Sequence, residues 1–363
     1  MKNSLEAKII LGMMSGTSLD GIDLAACSFN TDIERKKVSY QILKAETIAY
    51  STEWKNKLDR AFHNNVVELQ QLDRDYGAYI AQVVNEFKQR HALEICLIGS
   101  HGHTVFHQPE KGFSLQIGDG SLISQYTQIT TVSNFRNQDI KLEGQGAPLV
   151  PIGDELLFSE FDFCINLGGF SNISWRENGI RKACDICPCN ILLNYLAQKK
   201  QLNYDLDGKI ASTGKINKTL LKVWNNLDFY QKKEPKSLGR EWCEQNFFKD
   251  FEETDTNVED LMRTTVEHIA FQISRWVKIK SIGTQQKILI TGGGTHNTYL
   301  LNRIKNLLGQ EFSIPNVQEQ IIDYKEALIF AYLAYLRMKG ENNTLSSVTG
   351  SLQDHSSGDV NYI

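Results

Sequence analysis

The feature that most restricts the fold is a strand, a glycine- and serine-rich turn and a second strand, a unit that occurs twice. The first copy spans 8–29 with its turn at Ser15–Gly21, and the second spans 161–175 with its turn at Gly168–Asn172. Each copy predicts a β-hairpin. Two copies far apart in one chain favour a duplicated domain. Coincidence stays open at this point, because many α/β proteins contain glycine hairpins.

Helical and strand patterns alternate along the rest of the chain, which predicts an α/β fold. The predicted elements are helices at 66–90, 264–279 and 326–338 and strands at 93–98 and 287–291. The last helix is largely apolar and suits an interior. We expect two domains, 1–160 and 161–363, with the C-terminal tail packing back on the first.

Length and composition describe a globular protein. The chain has 363 residues, of which 41% are hydrophobic and 23% charged, and it can bury a core. A formal charge of -4 argues against nucleic acid or an acidic membrane surface as a partner. No signal peptide and no apolar run of about 20 residues is apparent. Seven scattered cysteines suit a reducing compartment, so we expect a cytoplasmic protein.

Three glycine-rich turns, each directly after an apolar strand, predict a phosphate-binding function. Glycine permits turns in which several backbone N–H groups converge on an anion. The turns lie at Gly16–Gly21, Gly168–Asn172 and 292–297. None matches a Walker A loop or the dinucleotide fingerprint. The signal is therefore the recurrence of the turns and not any single motif.

Several carboxylates accompany these turns. Asp20 and Asp23 flank the first turn, and either could hold Mg²⁺ through water, since Mg²⁺ on phosphates needs only one or two carboxylates. Asp185 is predicted to lie in a loop, where, on the residues alone, it is more typical of a helix N-cap than of a catalytic group. Glu326 is predicted to open the last long helix, where it could complement the helix dipole.

Two clusters suggest metal ligands but lack the spacing of known sites. Cys184, Cys187 and Cys189 have no paired partner cysteines, so buried thiols in a loop are the favoured interpretation. His101, His103 and His107 fit a strand and turn no better than a random arrangement. We predict no metal at either cluster.

Motifs over nearly the whole chain resemble those of the anhydro-N-acetylmuramic acid kinases, members of the sugar-kinase and actin-like ATPase superfamily. The opening motif, Gly12-Met-Met-Ser-Gly-Thr-Ser-Leu-Asp-Gly-Ile-Asp23, is highly specific. Other matching segments follow in family order at 100–107, 116–118, 134–136, 144–149, 166–172, 235–241, 292–297, 326–331 and 347–350.

The resemblance implies two duplicated actin-like (ribonuclease H-like) domains with a nucleotide cleft between them. It also implies a reaction in which water opens the 1,6-anhydro ring of the sugar while ATP phosphorylates O6. The product, N-acetylmuramic acid 6-phosphate, belongs to cell-wall recycling in bacteria. A homodimer is expected by resemblance only.

The resemblance also assigns roles to residues. The family's catalytic base falls on Asp185, and Asp23 is the expected Mg²⁺ contact. The ATP contacts are predicted at Gly16, Thr17, Ser18, Leu19, Asp20, Gly21, Asp23, Gly168, Gly169, Gly292, Gly293, Gly294 and Asn297. The sugar contacts are predicted at His101, Arg136, Gln145 and Glu326, with Arg136 pairing with the lactyl carboxylate in a fork geometry.

The chain departs from the family pattern around the predicted base. Ile186, Cys187 and Cys189 replace a threonine and two glycines of the family motif, while Asn134 stands where the family has Asp and His103 where it often has Gln. Two alternatives stay open at this stage. One is a related kinase acting on a different sugar, and the other is a non-catalytic nucleotide-binding sensor.

Overall fold

The computed structural model describes residues 8–16, 19–32, 37–234 and 236–363, which divide into two compact units. The first unit contains the described residues up to Phe158 together with Tyr324–Ile363, and the second is Ser159–Asp323. The segment from Tyr324 onward therefore packs with the first unit, although the range predicted for the second domain included it. The reason is the apolar helix in this segment, which covers the first sheet.

The elements follow one another in a mixed α/β order. The first unit begins with β1 (Ile9–Ser15), β2 (Gly21–Asp32), β3 (Lys37–Ala49), α1 (Thr52–Arg60), α2 (Val66–Arg90), β4 (Ile95–Gln108), β5 (Phe113–Ile117), α3 (Gly120–Thr127), β6 (Thr131–Ser133), α4 (Asn137–Lys141) and α5 (Pro151–Leu156). The second unit contains β7 (Phe163–Leu167), β8 (Phe170–Glu177), β9 (Ile180–Pro188), α6 (Asn190–Gln198), α7 (Lys209–Thr213), α8 (Lys218–Asn225), α9 (Arg240–Cys243), α10 (Lys249–Glu253), α11 (Val258–Lys280), β10 (Gln286–Thr291), α12 (Thr298–Leu308) and β11 (Phe312–Ser313). The last elements are α13 (Glu319–Lys339), α14 (Ser346–Thr349) and β12 (Asp359–Asn361).

The two sheets repeat one strand arrangement. In the first, β1 pairs antiparallel with β2 and β2 with β3, while β4 and then β6 follow in parallel on the other side of β1. In the second, β7, β8 and β9 form the same antiparallel meander, and β10 and β11 follow in parallel. This strand-by-strand correspondence excludes coincidence as the origin of the repeated hairpin. The predicted α/β class with two duplicated domains is confirmed, while their actin-like relationship and the nucleotide cleft stay predictions.

Helix α13 provides the apolar cover of the first sheet. Its residues 327–336 are all buried. The helix backbone comes so close to β1 that a β-carbon on Gly12 would lie 1.8 Å from the carbonyl oxygen of Ala327. A glycine is therefore required at this crossing. The predicted interior helix is confirmed, but it begins at Glu319, and its backbone leaves helical geometry at Tyr324 (φ −117°, ψ 17°), two residues before Glu326.

Local sequence signals explain the helix boundaries that were predicted well. Helix α2 spans Val66–Arg90, as predicted, because Asn65 and Glu68 form a reciprocal capping box at its start. The predicted helix at 264–279 forms the later part of α11, which begins at Val258 after an Asn257 cap. Both helices place apolar residues on the sheet of their own unit.

Candidate active site

Asp185 lies in strand β9 and not in the loop that the sequence predicted. Its backbone N–H donates to the carbonyl of Lys236 at 3.1 Å, and its Oδ2 accepts from the N–H of Leu238 at 2.8 Å. The N-cap position of the following helix belongs to Cys189, so the N-cap interpretation of Asp185 is wrong. Burial raises the pKa of Asp185 to about 6, against the opposing effects of the Leu238 amide and the Lys236 charge. A carboxyl group with such a pKa can exchange a proton near neutral pH.

A β-bulge stands directly after Asp185. Asn172 of β8 faces Asp185, and Ser171 faces Cys187, so Ile186 is the extra residue. Bulges redirect side chains and are common next to active sites. The bulge arises because Ile186 and Cys187 both enter the core, where each is at most 2% exposed. A regular strand would have sent one of them to the other face.

Three cysteines around Asp185 are core residues. Cys187 and Cys189 are fully buried in the hydrophobic cluster of the second unit, and Cys184 lies in the same cluster. Burial raises the pKa of Cys184 and of Cys189 to about 12 and that of Cys187 well above its usual value. Thiols of this kind stay protonated and make poor metal ligands. The prediction of buried thiols is confirmed, but they lie in a strand and at a helix start and not in a loop.

The start of helix α6 holds the second glycine-rich turn. The N–H groups of Cys189 and Ile191 donate to the carbonyl of Gly169, and that of Asn190 donates to the carbonyl of Gly168, at 2.8–3.1 Å. Because C=O and N–H point in opposite directions in a trans peptide, the N–H groups of the same two peptide units point away from α6. The strand that carries Asp185 therefore leads directly into the amides that orient this turn.

The third glycine-rich turn packs against the second. Gly292 adopts φ 88°, and a β-carbon there would lie 2.3 Å from Oδ1 of Asn166. Gly294 approaches the carbonyl oxygen of Leu167 in the same way, at 3.0 Å from its notional β-carbon. Asn297, a predicted ATP contact, caps α12 by accepting from the N–H of Leu300 at 2.9 Å. The second unit thus brings Gly168, Gly169, Gly292, Gly293, Gly294 and Asn190 into one region.

The first glycine-rich turn follows a buried polar network. Ser15 Oγ lies 2.7 Å from the hydroxyl of Tyr50 and 3.2 Å from Nδ1 of His103, and Tyr50 lies 2.5 Å from the hydroxyl of Tyr76. All four side chains are at most 5% exposed. Burial lowers the pKa of His103 to about 4, so its ring is neutral at pH 7. This network fixes the last residue of β1 before the turn.

The residues of the first turn are only partly described. Leu19 has a left-handed backbone (φ 58°), which is unusual for a bulky side chain. Gly16, Asp20 and Gly21 complete the described part, and a β-carbon on Gly21 would lie 2.4 Å from the carbonyl oxygen of Ile48. The predicted ATP contacts Thr17 and Ser18 lie outside the described residues.

Four predicted site residues of the first unit form one polar cluster. Arg136 donates from Nη2 to Nε2 of His101 at 2.9 Å. Burial raises the pKa of Glu326. The charge of Asp23 raises it further, and that of Arg136 lowers it. Burial lowers the pKa of Arg136 to about 10, and Glu326 opposes that shift. Asp23 Oδ1 accepts from the Thr47 hydroxyl at 2.6 Å. The sequence therefore identified residues that the fold assembles.

Gln145 is exposed and lies in a loop organised by a buried carboxylate. Its N–H donates to the carbonyl of Thr349 at 2.9 Å. Asp139, which is fully buried, accepts from the N–H of Gly146 and from the hydroxyl of Thr349, each at 2.7 Å. No sequence motif indicated Asp139, because its partners are distant in the chain. Lys325 and Asp154, a buried ion pair of 3.0 Å beside Glu326, were missed for the same reason.

No group of three or more His, Cys, Asp or Glu in the described part of the chain is arranged to hold a metal ion. His101, His103 and His107 all lie on β4. None of the described helices combines the length and the apolar character needed to cross a membrane.

Comparison with known proteins gives one consistent family. The family model described as anhydro-N-acetylmuramic acid kinase matches residues 8–363. The anhydro-N-acetylmuramic acid kinase of Mannheimia succiniciproducens is 35% identical over 368 residues, covering 96% of this chain and 97% of the relative. That of Synechococcus elongatus is 35% identical over 385 residues, covering 97% and 98%. Among solved structures, a ROK family glucokinase from Streptomyces griseus covers 90% of this chain and 99% of its own, with 13% identity and a TM-score of 0.42, too low to support an argument.

Proposed function

The chain belongs to the anhydro-N-acetylmuramic acid kinase family, and we propose that it performs that family's reaction with Asp185 as the base. In this reaction ATP phosphorylates O6 of 1,6-anhydro-N-acetylmuramic acid while water opens the anhydro ring. The observation that supports the assignment is that the strand carrying Asp185 continues into Cys189–Ile191, whose N–H groups bond to the carbonyls of Gly168 and Gly169. The proposed base and a glycine-rich turn therefore lie a few residues apart along one hydrogen-bonded segment.

One base is enough for this reaction, because only the attacking water has to lose a proton. Asp185 accepts a proton from water as the water oxygen forms a bond to C1 of the sugar. The C1–O6 bond breaks, and O6 forms a bond to the γ-phosphorus of ATP while the bond to the leaving ADP oxygen breaks. The proton then passes from Asp185 to solvent. A positioned base of this kind contributes typically 10²–10⁴-fold to the rate.

The glycine-rich turns would hold the nucleotide. The N–H groups of Gly169 and Phe170 point away from α6 and are donors suited to phosphate oxygens. Gly16–Gly21 and Gly293–Gly294 are further predicted nucleotide contacts, whereas the N–H of Gly292 already donates to the carbonyl of Ile322. Phosphoryl transfer depends mainly on positioning and charge neutralisation, which backbone amides supply without any proton transfer.

The carboxylates of the first unit fit a magnesium ion. Asp23 and Glu326 are close enough for the charge of Asp23 to raise the pKa of Glu326. Mg²⁺ on phosphates takes one or two carboxylates and otherwise water, so a cluster of three ligands is not required. When bound, Mg²⁺ would neutralise charge on the phosphates of ATP. We assign Asp23 as its expected contact, through water.

Arg136 would bind the carboxylate of the sugar. Its Nε is buried and has no hydrogen-bond partner among the described residues. A buried donor without an acceptor is costly, and a bound carboxylate would satisfy it. Glu326 and Gln145 are the other proposed sugar contacts.

The changes around Asp185 do not favour another sugar. Ile186, Cys187 and Cys189 are buried in the core, so their side chains offer no exposed group to a different sugar. A non-catalytic sensor would have no use for a buried carboxylate with a raised pKa. We further propose a cytoplasmic location, supported by the free state of the described cysteines. The homodimer stays a prediction.

The test is an assay of ADP release with ATP and 1,6-anhydro-N-acetylmuramic acid. We expect turnover by the wild type and a loss of at least about 10²-fold in Asp185→Asn. Asp255→Asn, a control at an exposed position, should leave turnover unchanged. Lack of turnover on this sugar by the wild type would contradict the proposal. A second variant, Arg136→Ala, should raise the KM for the sugar and leave the KM for ATP unchanged.

A further inference from the structure

We propose that His101 is a positioning residue, which does not touch the sugar itself but holds the Arg136 guanidinium for an acidic sugar. The inference rests on the proposed function and refines it. It gives His101 a role other than the sugar contact suggested by the family resemblance.

The hydrogen bonds of His101 account for both ring nitrogens. An arginine guanidinium has donors only, so Nε2 of His101 must accept from Nη2 of Arg136 at 2.9 Å. The ring proton must then sit on Nδ1, which donates to the carbonyl oxygen of Gly102 at 2.9 Å. No ring nitrogen of His101 is left to donate to or accept from a sugar hydroxyl.

The surroundings keep His101 in this neutral form. The side chain is 4% exposed, and its ring lies 4.7 Å from that of Phe330. Burial, together with the charge of Arg136, holds the pKa of His101 well below its usual range. A protonated ring would have no acceptor at Nε2 and would repel Arg136. The histidine is therefore a permanent acceptor at physiological pH.

The hydrogen bond to His101 restricts the guanidinium of Arg136. One Nη2 hydrogen is committed to His101, while the buried Nε has no partner among the described residues. A guanidinium anchored at one nitrogen has fewer rotamers to lose when a carboxylate binds at the others. His101 thus affects sugar affinity through Arg136, and it should leave ATP binding and the chemical step unchanged.

The experiment compares two substitutions of His101. His101→Phe keeps the ring and its packing on Phe330 but removes the acceptor. His101→Gln keeps an amide oxygen that can accept from Arg136 and an N–H that can reach Gly102. Steady-state kinetics with the anhydro sugar and ATP then give kcat and a separate KM for each substrate in both variants.

We expect His101→Phe to raise the KM for the sugar by about tenfold, since it removes a hydrogen bond to a charged group. The KM for ATP and kcat should stay within about threefold of the wild-type values, and His101→Gln should recover most of the sugar affinity. Three results would overturn the inference: an unchanged sugar KM in His101→Phe, equal losses for both substrates, or a His101→Gln variant as weak as His101→Phe. Inactivity of the wild type on this sugar would instead overturn the proposed function, and the inference with it.

Discussion

The carboxylate of Asp139 lies 2.7 Å from the hydroxyl of Thr349, although 210 positions separate the two residues. The other oxygen of Asp139 accepts from the N–H of Gly146, so one buried carboxylate joins the loop of Gln145 to the C-terminal part of the chain. Each oxygen of the Asp139 carboxylate therefore accepts from a different donor.

Replacement of Asp139 by Asn should disturb this loop. The two donors face different oxygens of Asp139, so in Asn one of them would face an NH₂ group in place of an acceptor. We expect a loss of about 1–3 kcal/mol in the free energy of unfolding and a higher KM for the sugar. Urea unfolding and steady-state kinetics measure the two effects. Thr349→Ser keeps the hydroxyl and serves as the control. Wild-type stability in Asp139→Asn would show that the bonds contribute little.

The rate should depend on pH through Asp185. Only the deprotonated carboxylate can act as a base, and burial raises its pKa to about 6. We therefore expect kcat/KM of the wild type to fall by about tenfold for each pH unit below about 6. The residual activity of Asp185→Asn should lack this acidic limb. A wild-type profile that is flat from pH 7 down to pH 5 would exclude Asp185 as the base.

The free energy of unfolding should also depend on pH through Asp185. The folded-state pKa of about 6 exceeds the unfolded value of about 3.9, so the folded state binds more protons than the unfolded state between these values. Stability attributable to this group therefore falls as pH rises through that window. Asp185→Asn should be more stable than the wild type well above pH 6, by about 3 kcal/mol, with the difference nearly vanishing by pH 4. Denaturant unfolding at pH 4 and pH 7 measures it, and an equal difference at both values would contradict the linkage.

Two glycines of the phosphate-binding turns should respond differently to alanine. Gly169 has open space around a notional β-carbon, whereas Gly292 combines φ 88° with a contact of 2.3 Å to Asn166. Gly292→Ala should lower the melting temperature and activity together. Gly169→Ala should keep the wild-type melting temperature, so that any rise in its KM for ATP reports on the nucleotide. If both variants lose stability equally, the open space around Gly169 does not make an alanine tolerable at that position.

The buried pair of Lys325 and Asp154 should be sensitive to the loss of one partner. Their side chains are 3% and 4% exposed, and their charged atoms lie 3.0 Å apart. Lys325→Met leaves a buried carboxylate without this cation, which typically costs about 3–5 kcal/mol. Asp154→Leu combined with Lys325→Met removes both charges and should be less destabilised than Lys325→Met alone. Hydrogen exchange in α13 reads the effect within the first unit. If the double variant is less stable than Lys325→Met, the two charges stabilise the fold as a pair.

Local patterns made parts of the fold predictable. The capping box at Asn65 and the apolar spacing after it define α2 to the residue, and the repeated hairpin led directly to the duplication. The position of Asp185 was not predictable, because its strand exists through pairing with β8 and its bulge through the burial of Ile186. The role of His101 depends on Arg136, 35 positions away, and no property of the histidine motif alone indicates it. Interactions between distant segments decide such features.

The return of the chain to the first unit at Tyr324 has a consequence for biosynthesis. The second unit is a continuous stretch and can fold as soon as it leaves the ribosome. The first sheet lacks its apolar cover until α13 has been translated. One face of its early strands therefore stays exposed while the rest of the protein is synthesised. We therefore expect the unit that comes second in the sequence to fold first, and the nascent first unit to be the part that needs protection by chaperones.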